Sequence, residues 1–198
     1  MRSHNMLGNK QHGVTMIEVL VTIVIVTIGL LGLAGLQARI QSAELESYQR
    51  VQAIILLQDM VDRLTANRKE AVSYKDKTTG AGSTVAIAAS GFQRDLYEWH
   101  NALLGASETD SGGGVKLGAM IGARGCITGP AAGTAMPHEY VVAVAWQGMT
   151  PTAAPTASTC GSGGYGSNDA LRRVITTRVV FSCLQSNATG TTCLASTP

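Results

Sequence analysis

The sequence lacks the residue patterns on which most enzyme chemistry depends. Its 198 residues contain neither the G-x-S-x-G turn of serine hydrolases nor the H-E-x-x-H helix of zinc proteases. They also contain no C-x-x-C or H-x-x-x-H pair that could place tetrahedral zinc ligands. We therefore predict that the protein is not an enzyme and that it has no cofactor and no metal site.

A bias in charge is also missing. There are 15 basic against 13 acidic side chains, and Arg2 and Lys10 near the start account for the excess of two. This balance gives no support for nucleic-acid binding, which depends on a basic surface. Aromatic residues make up only 5% of the chain, whereas there are 23 glycines. We expect a loop-rich domain with a modest core that needs covalent support.

The N-terminal part of the chain lacks proline, and one stretch of it lacks charge. No proline precedes Pro130, and no charged residue lies between Val19 and Leu36. As a helix, residues 14–36 would span about 35 Å, enough to cross a hydrocarbon core of about 30 Å. The pattern predicts a transmembrane helix. Glu18 lies inside its apolar start, where an unpaired carboxylate costs at least about 2.5 kcal/mol and needs a partner.

A short basic segment precedes the apolar run. Residues 1–13 contain Arg2 and Lys10 but no acid, and no Ala-x-Ala cleavage site follows the run. The letters GVTMIE at residues 13–18 resemble the junction of type IV prepilins, in which a basic leader ends at glycine. Val14 stands where that family usually has phenylalanine or methionine. A plain membrane anchor is the alternative interpretation.

The resemblance to prepilins implies specific roles for three residues at this junction. Prepilin peptidase would cut between Gly13 and Val14, and Val14 would become the N-methylated terminus of the mature chain. Glu18 would pair with the α-amino group of Val14 or with that of a neighbouring subunit's first residue. Such a pair is worth roughly 1 kcal/mol in water and several times more at an effective dielectric constant near 20.

Helical periodicity continues past the membrane segment to about residue 68. One predicted face of this part contains Ile40, Ala43, Ser47, Ile54, Leu57, Val61 and Leu64. The expected organisation is a leader over 1–13, a long helix over 14–68 and a periplasmic globular head over 69–198. Within the helix, residues 14–36 would lie in the membrane or the filament core, and residues 37–68 would be amphipathic.

Three glycines at a spacing of three interrupt the apolar half of this helix: Gly29, Gly32 and Gly35. Each costs a helix about 1 kcal/mol relative to alanine. Two interpretations account for these glycines: they allow close packing against neighbouring helices, or they soften a segment of the helix so that it can loosen in a filament. The sequence does not decide between the two.

The rest of the chain indicates a small mixed domain. Residues 71–90 are typical of a connecting loop, and Phe92 to Leu104 has the spacing of a second amphipathic helix. Strand patterns follow, weakly at residues 118–121 and strongly at Glu139–Gln147 and Arg173–Cys183. A long N-terminal helix followed by an antiparallel sheet predicts an α+β fold similar to that of pilins.

Four cysteines lie beyond the apolar helix: Cys126, Cys160, Cys183 and Cys193. The positive charges of the leader place that side of the membrane in the oxidising periplasm, so the even count predicts two disulfides. Four cysteines allow three pairings. We favour Cys126–Cys160, because these residues flank one predicted strand, and Cys183–Cys193, because a turn-rich segment separates them.

Further segments resemble the PilV-type minor pilins, the type IV pilus modification proteins. They are GLAGLQ at 32–37, QDMVDR at 58–63, RGCI at 124–127 and VAWQG at 144–148. This resemblance implies a minor pilin that acts in pilus assembly or initiation, and so in twitching motility, adhesion or DNA uptake. The alternatives are a minor pseudopilin of type II secretion and a tip pilin that binds a ligand or DNA.

The resemblance also implies partners and a location. The N-terminal helix would contact other minor pilins and the major pilin, and a PilY-type tip adhesin is a further implied partner. The protein would first span the bacterial inner membrane once, with the leader cytoplasmic and the head periplasmic. It would then enter the pilus at the cell surface.

Three other groups of residues have simpler structural interpretations. Gly161 to Gly166 matches G-x-G-x-x-G by letter but follows no strand, so it does not predict nucleotide binding. Asp59 and Asp62 are expected to form a solvated charge network with nearby arginines. The last group, expected to decorate the surface of an edge strand, consists of Arg172, Arg173 and Arg178.

Overall fold

The computed structural model describes residues 13–87, 90–106, 120–131 and 138–182. The helices are α1 (Met16–Ala66) and α2 (Gly91–Leu103), with 3-10 turns at Arg68–Tyr74 and Ser167–Asp169. The strands are β1 (Lys77–Gly80), β2 (Ile121–Thr128), β3 (His138–Gln147) and β4 (Arg172–Phe181). This is the α+β, pilin-like architecture that the sequence predicted. The chain divides into two compact units, the first ending at Ala43.

The first unit contains the apolar part of α1. Every large apolar side chain from Met16 to Leu36 is exposed to solvent in the isolated chain. The hydroxyls of Thr22 and Thr27 donate to the carbonyls of Val19 and Val24, each at 2.8 Å, so these polar groups are satisfied within the helix. The segment is long and apolar enough to cross a membrane, and none of it is buried in the chain.

The second unit, the head, begins with the amphipathic part of α1. Its buried face consists of Gln49, Ala53, Leu57, Met60 and Leu64, spaced by three or four residues as one side of a helix requires. The predicted face was partly wrong. Leu57 and Leu64 are buried as expected, but Ile40 and Ile54 remain about half exposed. The error arises because α1 carries apolar residues on more than one side.

The head's sheet is antiparallel with the order β1-β2-β3-β4. The predicted connecting loop at 71–90 was wrong, because these residues contain a 3-10 turn and β1. Of the weak strand expected at 118–121, residues 118 and 119 lie outside the described residues, Met120 is not in a strand, and Ile121 begins β2, which runs to Thr128. Strand β1 has no apolar residue to indicate it. It forms because residues 77–80 pair with residues 124–127 of β2.

Strand β3 is buried on both faces of the sheet. Tyr140, Val142, Val144 and Trp146 belong to the main core with the side chains of α1 and α2. Ala143 and Ala145 alternate with them and lie in a second cluster with Cys160 and Tyr165. A loop therefore covers the sheet on the side away from that core, which explains why β3 is apolar almost throughout rather than alternating.

Candidate processing and assembly site

The predicted processing site lies immediately before α1. Gly13 to Thr15 are outside the helix, and the carbonyl of Thr15 accepts the first bonds from the backbone N–H groups of Glu18 at 3.0 Å and Val19 at 3.3 Å. Val14 is 69% exposed. The peptide bond between Gly13 and Val14 is therefore in accessible, non-helical backbone, the conformation that a protease requires.

Gly13 is not required by the chain's own fold. A Cβ atom added at Gly13 would meet nothing within 4 Å, and the residue does not have a positive φ. A larger side chain would therefore fit in the isolated protein. Nothing in the described part of the chain therefore requires glycine at position 13.

Glu18 occupies the first turn of α1. The unpaired N–H groups of a helix N-terminus carry partial positive charge, which stabilises a nearby carboxylate by about 0.3–1 kcal/mol at an exposed position. The next charged residue along the helix is Arg39, so no cation of α1 itself lies near Glu18. Among the described residues, none therefore offers this carboxylate a full positive charge from within the apolar half of α1.

The glycines of the apolar half also have open space beside them. Cβ atoms built on Gly29, Gly32 and Gly35 would meet nothing within 4 Å. The helix continues through all three without a break. They present bare backbone at which another helix could approach closely.

In the head, Cys126 and Cys160 form a disulfide with their Cα atoms 5.8 Å apart. Cys126 lies on β2, and Cys160 lies in the loop between β3 and β4, as the strand-flanking argument favoured. The bond attaches this loop to the sheet. Cys183 and Cys193 lie outside the described residues, so their pairing stays a prediction.

The buried side chain of Arg172 also binds the loop between β3 and β4. Its side chain is 5% exposed, and its guanidinium donates to the carbonyls of Ser158 (2.7 Å), Cys160 (3.1 Å) and Pro155 (2.7 Å). Its Nε lies 3.2 Å from a carboxylate oxygen of Asp169, although the two are not aligned for a hydrogen bond. The expectation that Arg172 decorates a strand surface was wrong. Local sequence gives no signal for this role, because the carbonyls that Arg172 binds lie 12 to 17 residues earlier in the chain.

Arg173 likewise has a structural role. Its Nε donates to Glu46 of α1 at 2.5 Å, and its two terminal nitrogens donate to the Thr152 hydroxyl at 2.7 Å and the Thr150 carbonyl at 2.8 Å. It ties the start of β4 to α1 and to the preceding loop. Of the three arginines, only Arg178 is mainly exposed, and it pairs with Glu139 across the strands.

A polar network joins the end of α1 to α2. Asp95 of α2 accepts hydrogen bonds from the buried Tyr74 hydroxyl and from Asn67, and Arg63 also reaches it at 3.3 Å. Burial and the Asp95 carboxylate raise the pKa of Tyr74, so its hydroxyl stays a donor. Arg63 also bonds to Asp59 and Glu98, so this cluster links two helices and is more than a solvated surface network.

His100, on the buried side of α2, is a satisfied core residue rather than a ligand. Its Nδ1 accepts the backbone N–H of Gly80 at 3.0 Å, which joins α2 to β1. Among the described residues no group of three or more His, Cys, Asp or Glu could hold a metal ion.

Comparisons with known proteins match the first half of the chain. Residues 35–95 match the family described as Type IV pilin Tt1218, and residues 8–34 match the prokaryotic N-terminal methylation motif. No curated protein and no solved structure matches the chain. The chain is thus similar to type IV pilins over residues 35–95 and carries a match to an N-terminal methylation motif over residues 8–34, and its α+β architecture is consistent with the pilin fold.

Proposed function

We propose that the chain is a minor pilin of the PilV type, made as a precursor and built into a type IV pilus or its priming complex. The observation that carries this proposal is the start of α1. An accessible Gly13–Val14 bond precedes a first turn with one carboxylate. The helix that follows has no charge from Val19 to Leu36, and none of the described residues covers it.

The same segment supports the proposed route to the pilus. The exposed apolar half of α1 would lie in the inner membrane, and Arg2 and Lys10 would keep the leader cytoplasmic because positive flanks are retained on that side. The head would then be periplasmic, where the disulfide is stable. Prepilin peptidase would release a terminus at Val14, and that terminus would be methylated.

Glu18 would set the position of the subunit among its neighbours. Inside a bundle of apolar helices its carboxylate would be unstable without a cation, and the amine of an adjacent subunit's first residue would supply one. Only one stagger of the two helices brings these groups together. The ion pair would therefore stabilise the correct stagger of neighbouring subunits over other staggers, and it would add less to the overall affinity between subunits.

Intact-mass measurement of the membrane-extracted protein tests the processing step. The mass should correspond to a chain beginning at Val14 with one added methyl group. Gly13→Leu should leave the full-length precursor to accumulate, whereas Gly29→Leu should be cut normally. A mature terminus beyond Leu36 would contradict the prepilin interpretation.

The place of the protein is tested separately by its fate in cells. Sheared and purified pili should contain the chain in small amounts relative to the major pilin. Its absence from pili together with a requirement for protein secretion would favour a pseudopilin instead.

A further inference from the structure

A groove of about 340 Å³ opens beside the disulfide of the head. It lies between β1 and β2 on one side and the loop at residues 158–162 on the other. Its volume is near the lower end of small-molecule sites, which run from about 300 to 1,000 Å³. The hydroxyl residues that line it are Thr78, Thr128, Ser158, Thr159 and Ser162. Such a lining suits a small polar ligand.

Arg124 of β2 lines this groove, and its guanidinium is held in place by Tyr165. The guanidinium carbon lies over the Tyr165 ring, 5.4 Å from its centroid. The ring is itself fixed, because its hydroxyl donates to the carbonyl of Gly122 at 2.7 Å and lies 3.2 Å from that of Ala145. Burial raises the pKa of Tyr165 to about 12, so the ring stays neutral.

Two glycines make room for this guanidinium. A Cβ atom on Gly164 would lie 2.7 Å from one terminal nitrogen of Arg124, and one on Gly82 would lie 3.5 Å from the other. The arginine therefore sits between two pieces of bare backbone and over one aromatic face. Its position is set before any ligand arrives, which lowers the entropic cost of binding.

The hydrogen-bonding capacity of Arg124 is unused within the described part of the chain. No carboxylate of residues 13–87, 90–106, 120–131 or 138–182 forms an ion pair with it, and its buried Nε finds no acceptor there. The contrast is with Arg63, Arg172 and Arg173, each of which pairs with at least one acid. An unneutralised guanidinium with a fixed position is a ready binding group for a planar oxyanion.

The charges around the groove favour a negative ligand. Lys77 and Arg124 both contribute to its lining, and Asp76 is the acid among the lining residues. The carboxylate of Asp76 lies 3.9 Å from Lys75, so its charge is partly offset. The local balance is positive although the chain as a whole is close to neutral.

We propose that this groove binds a small oxyanion, a carboxylate or a phosphate, through the guanidinium of Arg124. The hydroxyls of Thr78, Thr128 and Thr159 hold the polar remainder of the ligand, since those of Ser158 and Ser162 already bond to the Cys160 N–H and to Asp169. The disulfide matters to the site because it attaches that loop to β2. The proposal concerns the head alone and does not depend on the role of the protein in a pilus.

Ligand titration of the full-length, ¹⁵N-labelled protein in detergent micelles tests this site. The probes are glucuronate, its neutral counterpart glucose, and inorganic phosphate. Glucuronate or phosphate should shift the backbone amide signals of Gly82 and Gly164 in a saturable way, whereas glucose should not. Saturation by glucuronate alone identifies a carboxylate ligand, by phosphate alone a phosphate ligand, and by both a general oxyanion site.

Variants show whether Arg124 is the binding group. Arg124→Gln should weaken binding at least about tenfold, and the matched surface variant Arg178→Gln should leave it unchanged. Arg124→Lys keeps the charge without the planar fork, so it should retain a folded loop and lose about tenfold in affinity. The proposal fails if no charged probe saturates, if glucose binds equally well, or if Arg124→Lys binds as the unmodified chain does.

Discussion

From Met16 to Leu36, α1 exposes all of its large apolar side chains in the isolated chain, whereas from Gln49 to Leu64 the same helix buries one face in the core of the head. The backbone conformation is the same in both stretches. In the second stretch, packing within the chain stabilises the helix. In the first stretch none of the residues that the structure describes covers it, and so large an exposed apolar surface indicates a membrane or other subunits as its surroundings.

This contrast separates two kinds of sequence constraint. A residue of the head is constrained by neighbours that are visible in the structure, such as the Trp99 ring over Gly125. Glu18 in the apolar stretch, and Gly13 just before it, have no contact among the described residues that explains them. Substitutions in the head should therefore change stability, and substitutions in the apolar stretch should change processing or assembly.

The largest effect is expected at Glu18. Glu18→Ala should be inserted and cleaved normally, since removing a charge from an apolar segment is favourable, but it should fail to enter the filament or its priming complex. Electron microscopy and immunoblots of sheared pili measure this. Glu44→Ala, which removes an exposed acid further along α1, is the control. Normal piliation with Glu18→Ala as the only copy would refute the proposed role.

Truncating the buried face of α1 should give the next largest effect. Met60 is fully buried, so Met60→Ala should lower the free energy of unfolding of the head by about 2–5 kcal/mol. Urea unfolding followed by the fluorescence of the buried Trp99 and Trp146 measures the loss. Ile55→Ala, at a residue 53% exposed, should change it by no more than about 0.5 kcal/mol. Equal losses would show that α1 packs on the head through a different face.

Removing the Cys126–Cys160 disulfide should cost about 2–4 kcal/mol, because the bond restricts the unfolded chain. The double variant Cys126→Ser with Cys160→Ser should show this loss in the same unfolding assay. Cleavage at Gly13 should be unaffected, since the leader lies in the other unit of the chain. Peptide mapping without reductant checks the pairing, and a Cys160–Cys183 linked peptide would contradict it.

Glycine substitutions should act oppositely in the two regions. A Cβ atom on Gly125 would overlap the Trp99 ring, so Gly125→Ala should destabilise the head by about 1–3 kcal/mol. Gly32→Ala meets no atom within 4 Å and should favour the helix by about 1 kcal/mol without changing the head. Urea unfolding curves of the two variants and the unmodified chain measure the difference. A destabilised head in Gly32→Ala would show that the apolar stretch also contributes to the stability of the head.

The smallest expected effect is a dependence on acid pH. Hydrogen bonds from Arg63 and then Arg94 lower the pKa of Glu98. Because the folded pKa lies below the unfolded one, the carboxylate stabilises the head above the unfolded pKa of about 4.3, and this contribution disappears as the pH falls through the folded pKa. Glu98→Gln should flatten the stability profile in that acid range, while Glu44→Gln should leave the slope unchanged.

The elements with strong periodicity were predictable from the sequence. Helix α1 ends within two residues of the predicted end, α2 is displaced by one residue, and β3 begins one residue earlier than expected. These segments are long or strongly apolar, so a local pattern is enough to indicate them. The predicted strand at Arg173–Cys183 agrees with β4 as far as Phe181.

Other features depend on residues that are distant in the sequence. Strand β1, with the sequence KTTG, has no strand pattern of its own and exists through its pairing with β2 and the bond from Gly80 to His100. Strand β2 contains two glycines that lower its strand propensity. One of them, Gly125, is present because the Trp99 ring leaves no space for a side chain.

The leader junction, the charge-free helix and the position of Glu18 follow from local sequence, because each depends on residue type within a short stretch. Three other features do not follow from local sequence. They are the burial of Arg172 against the loop carbonyls, the placement of Arg124 over Tyr165, and the choice of the α1 face that enters the core. The residue type of an arginine does not indicate whether its side chain is exposed or buried in the fold. Its surroundings exist only once the loop, the disulfide and the sheet have come together, and burial and pairing then give each side chain its role.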